Sequence, residues 1–557
     1  MIDRLITIGI VVVTLIGGGL MIQQSPAPTS TGTNSGLTTA QEQDNAVQTP
    51  SQQPRSSETV QEATSGSTPL EGLDAYVKGA METWNVPGTA IAVVKDDEVV
   101  FAEGYGVRND NTGKPVTART LFAVGSTTKA FTTAALGMLV DEGKISWDEK
   151  VVNYLPDFQL KDPWITRHLT IRDLLTHRVG LKRADLLWYS NKFNRDQVLQ
   201  RIRNVEHKLR FRDQFGYQNA MYVAAGEIIE SVTGQSWSTF VQNRIFNPLG
   251  MLVSNTSTDD LAYYSDVAMP HIQSSASEVR PIDYHNIDNA APAGAINSNV
   301  QEMAQWVRLQ LNEGTYEGQR LLEASTVRAM HSPETIIDPG PTQARLNPET
   351  TFSTYGLGWF VDDYRGHKAV YHGGNIDGMS AHVSMVPEEE LGVVVLTNMN
   401  ATPMPKILSK WITDRYLQAP EKDWSQHYRQ IYEKIGQQRQ QALQKVRENR
   451  TSGTEPSLGL ERYAGVYESD LYGKLTIRAE DDGLILQYGD LVGDLTHWQY
   501  DTFRVSWPPS VRAVVGGFFL ANIHLDARGN IQSLELSDAL GRLELGEFKR
   551  VGDVGQP

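Results

Sequence analysis

The alternation of apolar and polar positions changes character several times along the chain. Leu5 to Ile22 is a run of 18 uncharged, mostly apolar residues behind Arg4. A signal-peptide core is about 7–15 apolar residues long and a spanning helix about 17–25. The length in between predicts that residues 1–22 are an export signal or a membrane anchor, placing the protein in the periplasm or outside the cell. Residues 23–68 carry no periodicity and are rich in Ser, Thr, Gln, Pro and Gly, as in "SPAPTSTGTNSGLTTAQEQ". Such a stretch cannot bury enough apolar surface to offset its ordering entropy, so a flexible linker is expected.

From about Leu70 the patterns become those of folded chain. "TAIAVVKDDEVVFAEGYGV" reads as two strands around a turn at Asp96-Asp97. A helix-periodic stretch follows Ser126. Strand and helix patterns then mix as far as Leu417, and "AHVSMVPEEELGVVVLTNM" again reads as strand, acidic turn and strand. Residues 69–418 are taken as one domain. Residues 419–456 hold a polar helical pattern, "HYRQIYEKIGQQRQQALQKVREN", and a Ser/Gly/Pro linker. Residues 457–553 show short alternating segments between Asp-Gly and Gly-Asn turns, which predict a separate all-β domain.

Composition narrows the possible chemistry. Hydrophobic residues make up 40% of the 557 positions, enough for a sizeable core. The formal net charge is −16 without a long basic run, which argues against nucleic acid as a partner. The chain has no cysteine, so disulfides, thiolate zinc sites and a cysteine nucleophile are excluded. Its 12 histidines are scattered and no His-Glu-x-x-His occurs, so no metal is expected; no phosphate-cradling loop calls for a cofactor. Gly-x-Ser-x-Gly is also absent, which argues against an α/β-hydrolase.

One spacing carries chemistry. Ser126 is the only serine followed by a lysine three residues on, Lys129. At i and i+3 of a helix the two side chains lie about 5–6 Å apart on one face. A serine hydroxyl needs a base to become a nucleophile. A lysine can be that base once burial or nearby cations lower its pKa. At a helix start the serine's own N–H can also hold an oxyanion.

The surroundings of Ser126, "LFAVGSTTKAFTTAALGMLVDEGKISWDEKVVNYLPDF", resemble the nucleophile region of the serine penicillin-recognising hydrolases. These include class C β-lactamases, DD-peptidases, D-aminopeptidases and related esterases. "LTIRDLLTHRVGL" is similar to the next family signature, except that Arg178-Val179-Gly180 stands where Thr-Ser-Gly is usual. The family's Tyr-x-Asn has two candidates. Tyr217-Gln218-Asn219 is chosen for its flanks, "FGYQNAMYVAAGEIIESVTG"; Tyr189-Ser190-Asn191 lacks them and reads as an exposed or edge tyrosine. The third element is His372-Gly373-Gly374, preceded by the family-like "APAGAINSNVQEMAQW" and "YGLGW".

The resemblance spans about Leu70 to Leu417. It implies an α+β fold, an antiparallel sheet flanked by helices with an inserted all-helical lobe and the active site between them. The β-rich tail resembles a small domain often fused to such hydrolases. By carry-over, Ser126 attacks and Lys129 and Tyr217 shuttle its proton, with Tyr217 activating water for deacylation and its phenol pKa lowered by the lysine. Asn219 contacts the substrate and orients Lys129. His372, Gly373 and Gly374 line the substrate, and the N–H groups of Ser126 and Asn375 hold the oxyanion. Efficient β-lactamases of this kind usually carry lysine where His372 stands. The expected activity is therefore hydrolysis of D-amino-acid peptides, small esters or related amides. The alternatives are a β-lactamase, or a catalytically weak penicillin-binding or sensor protein.

Overall fold

The computed structural model describes residues 69–554, apart from 275–277, 481–482, 509–510, 512–516 and 542–543. The expected export segment and linker in residues 1–68 lie outside the described residues. Among the described residues no helix is long and apolar enough to cross a membrane.

Helix α1 (Leu73–Trp84) buries Leu73, Val77, Ala80 and Trp84, one face at helical spacing. Strands β1 (Gly88–Lys95) and β2 (Glu98–Asn109) form the expected hairpin. Asp96 and Asp97 both take positive φ, 53° and 62°, the geometry a two-residue hairpin turn requires. β3 (Lys114–Pro115) follows, and the chain then leaves for a long helical excursion. It returns as β4 (Thr335–Ile337), β5 (Thr350–Tyr355), β6 (Phe360–Tyr364), β7 (His367–Ile376), β8 (Met379–Val386) and β9 (Leu391–Thr397). The acidic turn between β8 and β9 is one 3₁₀ turn, Pro387–Glu389.

The nine strands make one antiparallel sheet in the order β4-β5-β6-β7-β8-β9-β1-β2-β3. Every residue of β1 from Gly88 to Val94 is buried, which requires cover on both faces. Side chains alternate: Ile91 and Val93 enter one core, Ala90 and Ala92 the other. The first core is closed by α1 and by α5 (Met404–Tyr416), with Ile407, Trp411 and Trp424. The second lies against α4 (Val300–Leu311) and α2 (Thr128–Asp141). In α2 every residue from Thr128 to Leu139 is buried. A helix wrapped on all sides needs no one-sided apolar stripe, so the helix expected after Ser126 is present but buried all round. The excursion also contains α3 (Asn219–Thr233), which packs on α2.

Helix α6 (Trp424–Glu448) is the expected connector, N-capped by Asp423 accepting from the Gln426 N–H. Eight strands follow, β10 to β17, between Gly465 and Gly552, and close into a barrel. Inward positions such as Tyr467, Ile477, Leu486, Phe503, Leu534 and Phe548 are buried and fill it.

The barrel has a second attachment besides α6. Arg201 Nη1 donates to the carbonyls of Asp470 (2.9 Å) and Leu471 (3.3 Å), and Asn204 Nδ2 donates to that of Asp470 (2.8 Å). The Asp490 N–H donates to the Ser190 carbonyl at 3.1 Å. Tyr189 and Phe193 of the helical lobe share one continuous apolar core with Tyr472 and Tyr488 of the barrel. The all-β unit expected from the sequence is present, but it is not packed independently of the helical lobe.

Candidate active site

Ser126 sits in a single 3₁₀ turn, Gly125–Thr127, that runs directly into α2. Gly125 has φ 54°, and a Cβ there would lie 2.7 Å from the backbone nitrogen of Asn375. Strand β7 closes on the same turn from the other side. A Cβ on Gly374 would lie 1.9 Å from the Val124 carbonyl oxygen and 3.2 Å from Ser126 N. Only glycine allows two backbones to meet so closely. The contact brings the N–H groups of Ser126 and Asn375, expected as oxyanion donors, to one place from distant parts of the chain. Gly374→Ala must push β7 away from the serine. Misplacement on the order of 1 Å costs about 10²-fold in rate, so kcat/KM for ester hydrolysis should fall by about that factor while the protein still folds. Unchanged kinetics in the alanine variant would show that this approach is not needed.

Lys129 lies one helical turn further on and is completely buried. Its Nζ donates to Ser126 Oγ at 3.0 Å and to the Ala293 carbonyl at 2.7 Å, both neutral groups. Burial pulls its pKa well below the usual lysine value; Asp185 opposes the shift and Arg183 adds to it. The shift favours the unprotonated amine.

Tyr217, and not Tyr189, is the tyrosine the fold brings here. Its ring centroid is 4.9 Å from Lys129 Nζ, and the ring packs at 4.1 Å on that of His177. The expectation of a lowered phenol pKa is overturned. Burial raises it, and Ser126 and Arg183 offset only part of that rise. The physical reason is burial of the phenol itself, to which the Asp185 carboxylate adds. The buried hydroxyl makes no well-aligned hydrogen bond within the protein.

Asn219, the first residue of α3, donates through Nδ2 to Asp185 Oδ1 at 2.9 Å. The hydrogen bonds of Lys129 go to Ser126 and Ala293, so the expected orientation of Lys129 by Asn219 is not what this structure contains. Asp185 also accepts from Trp188 Nε1 and from Arg183. Burial would raise the Asp185 carboxyl, but Arg183, Asn219 and Trp188 together hold it below the ordinary carboxylate value. The Arg183 guanidinium stands 5.5 Å from the centre of the Tyr217 ring. Sequence reading missed Arg183 and Asp185; their only signal was a place just after "LTHRVGL".

The His372 ring is fully buried rather than lining open space. Nε2 is 3.0 Å from the Tyr355 hydroxyl and Nδ1 is 2.7 Å from the Gly373 carbonyl. Burial and the nearby Lys129 push its pKa down to about 3, so the imidazole is neutral. Any influence of His372 on substrate passes through Tyr355 and the β7 backbone at Gly373 and Gly374. Arg178, the departure from the family pattern, points away from the serine; it donates to Asp173 (2.7 Å) and Glu334 (3.2 Å). Tyr189, expected at an edge, is buried, and its hydroxyl donates to Asp377 Oδ2 at 2.5 Å in the turn between β7 and β8. Among the described residues no group of three or more His, Asp or Glu could hold a metal ion.

The model of the Beta-lactamase family matches residues 73–414, and a domain of unknown function (DUF3471) matches residues 449–548. Unguisins hydrolase ungD of Aspergillus violaceofuscus is 31% identical over 493 residues, 82% of this chain and 84% of its own. Protein flp of Staphylococcus aureus is 25% identical over 343 residues, 60% of this chain and 64% of its own. The octameric penicillin-binding protein homologue from Pyrococcus abyssi superposes with a TM-score of 0.57 at 22% identity, covering 86% of this chain and 99% of that one. That likeness concerns the fold, an antiparallel sheet with helices. From the match over the sheet and the helical lobe it follows that this chain belongs to the β-lactamase family of serine penicillin-recognising hydrolases.

Proposed function

We propose that the protein hydrolyses D-amino-acid peptides, small esters or related amides through an acyl-enzyme on Ser126. The observation that carries this reading is the buried Lys129 amine, its pKa depressed, 3.0 Å from Ser126 Oγ. In the first step Oγ attacks the substrate carbonyl carbon and its proton passes to Lys129 Nζ. The resulting oxyanion accepts from the N–H groups of Ser126 and Asn375. Lys129 is now a cation beside Tyr217, and only in this state is a phenolate favoured. Tyr217 gives its proton to the leaving amine or alcohol. The phenolate then takes a proton from water, whose hydroxide attacks the ester. Ser126 leaves with the proton held by Lys129, and the site is restored.

Neutral His372 in place of a lysine supports substrates other than carboxylate-anchored β-lactams. The likeness to an unguisins hydrolase supports hydrolysis as the reaction. The apolar run Leu5–Ile22 supports action in the cell envelope or outside the cell.

A fluorophosphonate probe tests the nucleophile directly. Labelling should map to Ser126 by peptide mass spectrometry; a label on another residue, or none, would refute the reading. The pH dependence tests the base. Lys129 must be unprotonated to accept the serine proton, so activity is lost as pH falls through its depressed pKa. For an uncharged ester, kcat/KM should rise with pH and level off well below the lysine value of 10.5. An acid limb centred near that value would mean that Lys129 is not the base.

A further inference from the structure

Behind strand β7, on the face away from Ser126, the layer between the sheet and helices α5 and α6 is not solid. A cavity of about 170 Å³ touches Gly373, Asn375, His382, Lys406 and Tyr428. A second, of about 50 Å³, touches Asp362, Tyr371, His382, Lys406 and Lys410. The two share Tyr371, His382 and Lys406 and so adjoin. Lys406 and Lys410 stand one turn apart on α5 and both face this space.

The charges around it do not balance. Arg365 is paired with Asp414 at 2.9 Å, and Lys422 with Glu349 at 2.5 Å. The ammonium groups of Lys406 and Lys410 face aromatic rings and, beyond ion-pair distance, carboxylates: Asp362 attracts both, and Glu349 and Asp414 also attract Lys410. Lys406 Nζ is 5.1 Å from the Tyr371 centroid; Lys410 Nζ is 4.3 Å from that of Tyr364 and 4.2 Å from that of Trp424. Asp362 is the remaining carboxylate. It is engaged by Ser353 Oγ (2.6 Å) and Tyr371 Oη (2.9 Å), and burial raises its pKa. His382 is held neutral by burial and by the two lysines. Lys410 is only 7% exposed. Aromatic contacts offset only part of the cost of removing an ammonium from water. Burial accordingly lowers the pKa of both amines. The arrangement thus has two amines, one shielded carboxylate and a cavity that all three touch.

We propose that this cavity binds a small anionic group, a carboxylate or a phosphate, held between the ammonium groups of Lys406 and Lys410. Its wall includes the backbone of Gly373 and Asn375, so an occupant would touch the rear of the strand that carries the expected oxyanion donor. The site is independent of the chemistry proposed for Ser126 and is tested without activity.

Thermal unfolding of the full chain is followed at constant ionic strength while sodium chloride is replaced by sodium phosphate, or in a second series by sodium acetate. The melting temperature should rise saturably with at least one of them, by about 3 °C at a hundredfold excess over Kd. The series that responds distinguishes phosphate from carboxylate. Lys410→Met and, separately, Lys406→Met should abolish the rise, while Lys78→Met on the exposed face of α1 should retain it. Without the anion, Lys410→Met should melt at or above the wild type, because a thioether replaces a buried amine whose carboxylate neighbours lie beyond ion-pair distance. If Lys410→Met does not fold, Lys406→Met decides. No saturable rise with either anion, or the same rise in the folded lysine variants, would overturn the proposal.

Discussion

Ser126→Ala is expected to lower kcat/KM for p-nitrophenyl esters by about 10⁴-fold or more while leaving thermal melting unchanged. The hydroxyl touches Lys129 at the mouth of a tight turn, and a methyl group fits the same space. Lys129→Met should cost a similar factor, because an alcohol without a base is a poor nucleophile. The informative measurement is the double variant. Groups that act as one unit do not contribute additively, so Ser126→Ala with Lys129→Met should be no slower than either single change. If the two losses multiply, serine and lysine do not share one proton and the proposed first step is wrong. The lysine variant also loses the donor to the buried Ala293 carbonyl, so its melting curve is recorded beside its kinetics.

The two tyrosines should separate rate from stability. Tyr217→Phe removes a hydroxyl that has no well-aligned partner in the resting protein. Its melting temperature should hold, while kcat falls by about 10²–10⁴-fold, the usual worth of a general acid or base. Tyr189→Phe removes the donor to Asp377, a carboxyl that is itself buried. Leaving such an acceptor unsatisfied costs about 1–3 kcal/mol, so this variant should melt lower and lose less activity. Both are measured on one ester at saturating concentration beside a melting curve. The opposite pattern, with the Tyr189 variant stable and slow, would return the proton relay to the wrong tyrosine for the mechanism described.

Where the structure agrees with the sequence, the signal is local. The Asp96-Asp97 turn, the all-round apolar α2 and the polar α6 each depend on neighbours a few residues away. The meeting of Ser126, Lys129, Tyr217 and the Gly374–Asn375 backbone was legible only because three motifs stand in family order; nothing in spacing alone links residues so far apart. What stayed hidden depends on three-dimensional neighbours. Asp185 is an ordinary acidic residue until Arg183, Trp188 and Asn219 surround it. Tyr217 was expected to be more acidic because its partner was taken as a cation; burial of the phenol itself reverses that. The burial of Tyr189 requires the turn after β7, nearly two hundred residues later.

The seating of the barrel on the segment from Tyr189 to Asn204 bears on how such a protein can change over generations. The gene shows an obvious seam near residue 450, where one family model gives way to another. The folded molecule has its seam elsewhere, because Ser190, Arg201 and Asn204 spend their hydrogen-bonding groups on the barrel. Asp185, just before that stretch, and Tyr189, at its start, reach Asn219 and Asp377. A recombination event that cut at the visible seam and supplied a different tail would inherit a helical lobe shaped for the old one. The two halves are better regarded as a single heritable unit, in which drift on the barrel's rim is answerable to the cleft.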